Sequence, residues 1–126
     1  IRRFYEAKED NKSSVTLWGT GSPRREFIFA DDIVSACLML IEATLDDKDL
    51  PINIGVGADI SIKELAEKIR HIVGYTGSME WDTSKPDGAP RKLLDNGRIK
   101  SIGWKPQTDF DMGLKLTYQW FLDNIA

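Results

Sequence analysis

The sequence predicts an α/β fold built from short strands and about four to five helices. Three observations carry that prediction. Val15-Thr16-Leu17-Trp18 is a β-rich run closed by the turn Gly19-Thr20-Gly21-Ser22-Pro23. Ile33, Ala36, Cys37, Leu40 and Ile41 recur at helical spacing, which predicts an amphipathic helix over 32–43. Ser61-Ile62-Lys63-Glu64 is a capping box, in which Ser caps the Glu amide and Glu reaches back; it opens a helix over 62–73 that Gly74 ends.

The remaining elements follow in order. Residues 2–10 read as the end of a helix, with Phe4 and Tyr5 on its apolar side and Asn11 near its stop. After the strand at 15–18, Glu26-Phe27-Ile28-Phe29 is a second extended piece. Asp31 and Asp32 stand where an N-cap and a first-turn carboxylate belong. Cys37 shares a side of its helix with Ile33, Leu40 and Ile41, so it is expected in the core. Leu45–Asp49 reads as an acidic loop, and Pro51-Ile52-Asn53-Ile54-Gly55 as a short strand entered by proline. In the helix 62–73, Ile62, Leu65, Ile69 and Ile72 face inward. Ser78–Trp81 is a further strand, and 95–101 a short helix stopped at Gly103-Trp104-Lys105-Pro106. Thr108 is expected to cap a last helix whose buried stripe is Phe110, Leu114, Tyr118, Phe121 and Leu122.

Composition bounds the class. The 126 residues form one region, 1–126, long enough for a core, with 41% hydrophobic and 29% charged residues, as in ordinary globular proteins. A net charge of −3 offers no global field for nucleic acid or an anionic membrane. A single cysteine rules out an internal disulfide and a cysteine-rich zinc site. No apolar run reaches the ~20 residues of a membrane helix. The opening Ile1-Arg2-Arg3-Phe4-Tyr5 is no signal peptide, lacks an initiating Met and starts as if within a helix. A piece of a longer chain is expected.

The richest chemistry lies in Ser84-Lys85-Pro86-Asp87-Gly88-Ala89-Pro90-Arg91-Lys92. Two prolines and an Asp-Gly pair stiffen this loop, so holding its charges still costs little extra entropy. Lys and Arg so presented suit an anion such as a phosphate, although the same residues also make an ordinary surface turn. Arg24 and Arg25 leave the glycine-rich turn that follows Trp18. If these cations converge with Lys85, Arg91 and Lys92, they suit a diphosphate, with Trp18 beside it for stacking or, alternatively, buried in the core.

Other constellations are weaker. Gly55-Val56-Gly57-Ala58-Asp59-Ile60 begins like a dinucleotide fingerprint but has Ile60 where the third glycine belongs, and it reads as a strand-to-helix turn. His71, the sole histidine, lies near a helix C-terminus, where it complements the helix dipole. Asp31 and Asp32 are explained by capping, and no ligand spacing supports a metal. No catalytic residue is assigned: the chain reads as a binding part without a reaction centre.

Two segments then become recognisable together. The run from Trp18-Gly19-Thr20-Gly21 through Arg25-Glu26-Phe27 to Asp31-Asp32 resembles extended short-chain dehydrogenase/reductases that act on nucleotide sugars. Lys85-Pro86-Asp87-Gly88-Ala89-Pro90-Arg91-Lys92-Leu93-Leu94-Asp95 is narrower and resembles the signature of the GDP-L-fucose synthase family. Ile102-Gly103-Trp104 and Thr117-Tyr118-Gln119-Trp120-Phe121-Leu122 fit the same C-terminal end, so the likeness covers essentially the whole chain. Members of that family epimerise C3 and C5 of GDP-4-keto-6-deoxy-D-mannose and reduce C4 with NADPH, giving GDP-L-fucose. The resemblance implies that Arg25 binds the substrate diphosphate with Lys92 as a second cation, and that Trp18 lines the nucleotide-sugar pocket. It further implies that Asp87 gives a polar contact to the nucleotide and that Arg3 reaches the substrate.

It also implies a division of labour. The family's NADP(H) loop, its Ser and Tyr-x-x-x-Lys reductase residues and its epimerase Cys and His lie upstream of Ile1, and Cys37 and His71 match none of them. The expected unit is thus the C-terminal substrate-binding part of a Rossmann-like enzyme, without the N-terminal NADP-binding part and inactive alone. The whole protein is expected to be a cytoplasmic homodimer without a metal. Exposed apolar surface on this part is expected to drive self-association. Another nucleotide-sugar epimerase or dehydratase, or a stand-alone nucleotide-sugar-binding module, are the rival readings.

Overall fold

A computed structural model describes residues 1–46 and 51–126; the expected acidic loop Leu45–Asp49 lies partly outside them. Among the described residues there are five helices, where the sequence predicts them, and five short strands, of which only those near 15–18 and 78–81 are expected. Helix α1 (Arg2–Glu9) leads through Asn11, which takes a left-handed φ of 52°, into strand β1 (Ser14–Trp18). Strand β2 (Arg24–Arg25) precedes helix α2 (Ala30–Glu42), and strand β3 (Ile60–Ser61) runs directly into helix α3 (Ile62–Val73). Strand β4 (Ser78–Asp82), strand β5 (Arg91–Lys92), helix α4 (Gly97–Ser101) and helix α5 (Phe110–Asn124) complete the order.

Two small sheets result. β1 and β4 pair in parallel, with Val15 opposite Met79 and Leu17 opposite Trp81. The second sheet has the order β3-β2-β5, antiparallel between β2 and β3 and parallel between β2 and β5. The main core gathers Phe4, Ala7, Val15, Ala66, Val73 and Tyr75, so that α1 and α3 close over β1 and β4. The Tyr75 hydroxyl donates to the Lys12 carbonyl at 2.9 Å, satisfying the one polar atom of that ring. A second cluster joins Ala36, Ile99 and Trp104, whose indole N–H donates to Ser35 Oγ at 3.0 Å.

Several local expectations are corrected. The capping box is present: Ser61 Oγ accepts from the Glu64 amide while the Glu64 carboxylate accepts from the Ser61 amide, and Gly74 ends α3 at φ 72°. On α5, however, the cap is Asp109 rather than Thr108, its Oδ1 accepting from the Met112 amide at 3.0 Å. Helix α2 starts after Phe29 with no side-chain cap. Asp32 is buried instead, and its two oxygens accept the amides of Gln107 and Thr108 at 3.0 and 3.1 Å. The carboxylate therefore ties the chain entering α5 to the start of α2.

The expected strand at 51–55 carries no ladder in the described residues. A strand needs a neighbour for its backbone groups; here side chains take that part, Asn96 donating to the Gly55 carbonyl and Arg98 to that of Pro51. The extended piece expected at Glu26–Phe29 carries no ladder either; the strand lies just before it, at Arg24–Arg25. Cys37 is exposed, as are Ile33, Val34, Leu38 and Ile41, the last at 80%. The helical period was right; its apolar stripe simply finds little to cover it among the described residues.

Candidate functional site

The site grows from the turn after β1. Gly19 and Gly21 hold φ of 78° and 75°, conformations that side chains disfavour. Each also lies against a neighbour: a Cβ on Gly19 would stand 2.2 Å from Asp87 Oδ1, and one on Gly21 would enter the ring of Trp81. This crowding brings the stiff loop onto the turn. Thr20 donates its amide to Asp87 Oδ1 at 2.9 Å and its hydroxyl to Oδ2 at 2.6 Å, so both carboxylate oxygens latch the loop down. The Thr20 hydroxyl, then its amide, hold the Asp87 carboxyl below the usual aspartate range.

Beside this latch lies a cleft of about 120 Å³ lined by Trp18, Arg25, Ile62, Pro86, Asp87 and Gly88. Three of the five residues singled out from the sequence, Trp18, Arg25 and Asp87, therefore share one wall system. Trp18 is 64% exposed, which decides against a core role, and the Arg3 guanidinium sits 5.4 Å from its ring centre. Lys92 joins them through register, because it is the cross-strand partner of Arg25 in the β2–β5 pair. Neither Lys92 nor Arg3 lines the cleft itself: Lys92 adjoins it through Arg25, and Arg3 through the indole of Trp18.

Strand alternation sorts the cations. Partners in register share a face, and successive residues point to opposite faces. Arg25 and Lys92 occupy one face of the pair, Arg24 and Arg91 the other. The second couple is engaged by Asp59: Arg24 Nε donates to Oδ1 at 2.7 Å and Arg91 Nε to Oδ2 at 2.5 Å. Arg91, then Arg24, hold the Asp59 carboxyl below its ordinary range. Among the described residues neither Arg25 nor Lys92 has a carboxylate partner; the Arg25 guanidinium donates only to the Arg24 carbonyl, at 2.7 Å. Like charges directly opposite repel. Such a pair, half-buried at Arg25 and exposed at Lys92, is suited to an anion that bridges both.

Sequence reasoning missed Thr20 and Asp59. Thr20 reads as a turn residue and Asp59 as part of a glycine turn, and only the meeting of distant segments gives them partners. A larger cavity of about 570 Å³ also has Arg25 in its lining and is mostly apolar, with Phe27, Leu65, Phe110 and Leu114 in its walls.

The Gly55–Gly57 turn does not fit the pyrophosphate of a dinucleotide cofactor. In the Gly55–Gly57 turn, the Gly57 amide donates to Glu26 Oε1 at 2.6 Å, and a carboxylate already stands where a pyrophosphate would need to come. Among the described residues no cluster of three metal-ligating side chains forms, and no helix is long and apolar enough to cross a membrane.

Fold and cleft together define an α/β chain in which two cations in register lie next to an aromatic-walled cleft. Residues 1–55 match the NAD dependent epimerase/dehydratase family. The whole chain is similar to GDP-L-fucose synthase 1 of Arabidopsis thaliana, at 44% identity over 126 residues, which are 100% of this chain and 38% of the relative. It is equally similar to the GDP-L-fucose synthase of Escherichia coli K12, at 44% identity over 98% of this chain and 41% of that one. Among solved structures, the GDP-mannoheptose C4 reductase of Campylobacter jejuni with NADP bound superposes with a TM-score of 0.82. Its identity is 39%, over 96% of this chain and 42% of that one. The chain is thus similar over its whole length to GDP-L-fucose synthases, and its first 55 residues match the epimerase/dehydratase family. It spans about two-fifths of the length of these curated relatives.

Proposed function

We propose that these 126 residues are the substrate-binding part of a GDP-L-fucose synthase, an NADP-dependent enzyme that epimerises C3 and C5 of GDP-4-keto-6-deoxy-D-mannose and reduces C4. The carrying observation is the Arg25–Lys92 pair, two cations in register on one face without a carboxylate partner, beside the Trp18 cleft. In this reading Arg25 and Lys92 take the diphosphate, Trp18 packs on the nucleotide, and Arg3 approaches over the indole. Asp87 acts first by holding the loop and secondarily offers a polar edge to the nucleotide. In this reading NADP(H) and the groups that move protons and hydride belong to protein outside residues 1–126. The GDP-L-fucose synthase relatives support the substrate class.

A second reading keeps the nucleotide and changes the sugar: reduction of a GDP-heptose, favoured by the 39% identity to the Campylobacter reductase. Competition between the two GDP-sugars on the full-length protein separates them.

Calorimetric titration of the 126-residue chain tests the site. GDP should bind and UDP should bind less well. Losing the charge-assisted bonds of Arg25→Met should weaken GDP by roughly 10- to 100-fold, the equivalent of about 1.5–3 kcal/mol. Unchanged GDP affinity in that variant would remove the anion site. The same chain with GDP-4-keto-6-deoxymannose and NADPH should give no GDP-L-fucose; product formation would overturn the division of labour.

A further inference from the structure

Strands β2 and β5 are two residues each, too short to fix their own register. Their ladder gains one flanking bond, from the Arg24 amide to the Pro90 carbonyl at 2.8 Å. Yet the proposed diphosphate contact needs Arg25 beside Lys92 and not one residue away, since a slip by one sends the side chain to the opposite face. Something outside the ladder must hold the pair.

Asp59 stands where that hold is required. Its side chain is only 4% exposed, and its two oxygens grip different strands, Oδ1 on Arg24 of β2 and Oδ2 on Arg91 of β5. Its carbonyl takes a third bond, from Arg24 Nη2 at 2.8 Å. Asp59 immediately precedes β3, which pairs with β2 and runs into the capped start of α3. Arg24 Nη1 also lies 3.6 Å from Glu64, the capping-box carboxylate. The grip is thus anchored to a helix end that is itself pinned by reciprocal bonds.

We propose that Asp59 is a positioning residue of the anion site: by clamping Arg24 and Arg91 on one face of the β2–β5 pair, it sets Arg25 beside Lys92 on the other. This rests on the anion-site reading above. A purely electrostatic role makes the opposite prediction. Asp59 is a negative charge near the anion, so removing it should tighten anion binding if potential alone mattered. Removing a clamp should loosen it.

The test uses the 126-residue chain and its Asp59→Asn variant, with amide hydrogen exchange and titration with GDP and with inorganic diphosphate. Exchange at residues 24–25 and 91–92 should accelerate about tenfold or more while the amides of α5 keep their protection, and affinity for both ligands should fall about tenfold, as for loss of a charged hydrogen bond. Unaltered exchange at those amides, or tighter binding of diphosphate, overturns the proposal. Should Asp59→Asn fail to fold, Arg91→Met releases only the β5 half of the clamp and must show the same local loss of protection. If the wild-type chain binds neither ligand, the anion-site reading falls, and the proposal of a binding role for Asp59 falls with it. If the wild type binds and only the variant fails to lose affinity, the anion site stands and Asp59 has no positioning role.

Discussion

At the scale of single residues, charge pairing decides which cations remain available. Four basic residues meet on β2 and β5, and one carboxylate, Asp59, pairs with two of them. Acid should expose this arrangement. Asp59, Asp87 and Glu64 all titrate below their ordinary values in the native state, Glu64 through the Ser61 amide and then its hydroxyl. The unfolded chain therefore binds protons more tightly, and stability rises with pH through this range. Their contribution is complete above the ordinary carboxylate pKa of about 4 and is lost as pH falls through the depressed native values. Denaturant midpoints followed from pH 6 to pH 2 should be flat at first and then fall; a midpoint that rises on acidification would contradict the pairing. In the second core, Trp104→Ala should cost about 3–5 kcal/mol, because a large buried ring and the indole bond to Ser35 are lost together.

At the scale of elements, end chemistry matters as much as periodicity. Helix α3 was legible from the chain because its cap, apolar spacing and terminal glycine are all local. Ser61→Ala should lower stability by about 1 kcal/mol, read as a shift in denaturant midpoint without a change in slope. Helix α2 was legible in period but not in burial. Asp32 looks like a helix-start carboxylate in sequence, yet it serves residues 107 and 108, far along the chain. Asp32→Ala should leave two amides without their partner and cost about 1–3 kcal/mol for each that stays buried. Thermal unfolding of that variant should show it, and a variant as stable as the parent would mean water replaces the carboxylate.

At the scale of the whole molecule, apolar surface is distributed unevenly. Phe4, Val15, Val73 and Tyr75 close one core, whereas Val34, Leu38 and Ile41 of α2 and Trp120 of α5 lie exposed. The chain spans about two-fifths of its curated relatives, and a surface of this kind favours association. Light scattering should find the 126-residue chain self-associating with rising concentration, and Ile41→Lys should reduce it. A monomer that binds no hydrophobic dye would count against the expectation.

The sequence by itself determined the helices, strands β1 and β4, the capped start of helix α3 and the identity of the cationic loop. Capping, turn and periodicity signals act within a few residues, and the Lys85–Asp95 wording is distinctive enough to point to a family. Tertiary structure alone decided that Trp18 is exposed, that Thr20 latches Asp87, and that Asp59 occupies Arg24 and Arg91 while Arg25 and Lys92 stay without a carboxylate. Those outcomes depend on which distant segments meet in register, and the pairing of a charge is a property of its neighbours in space.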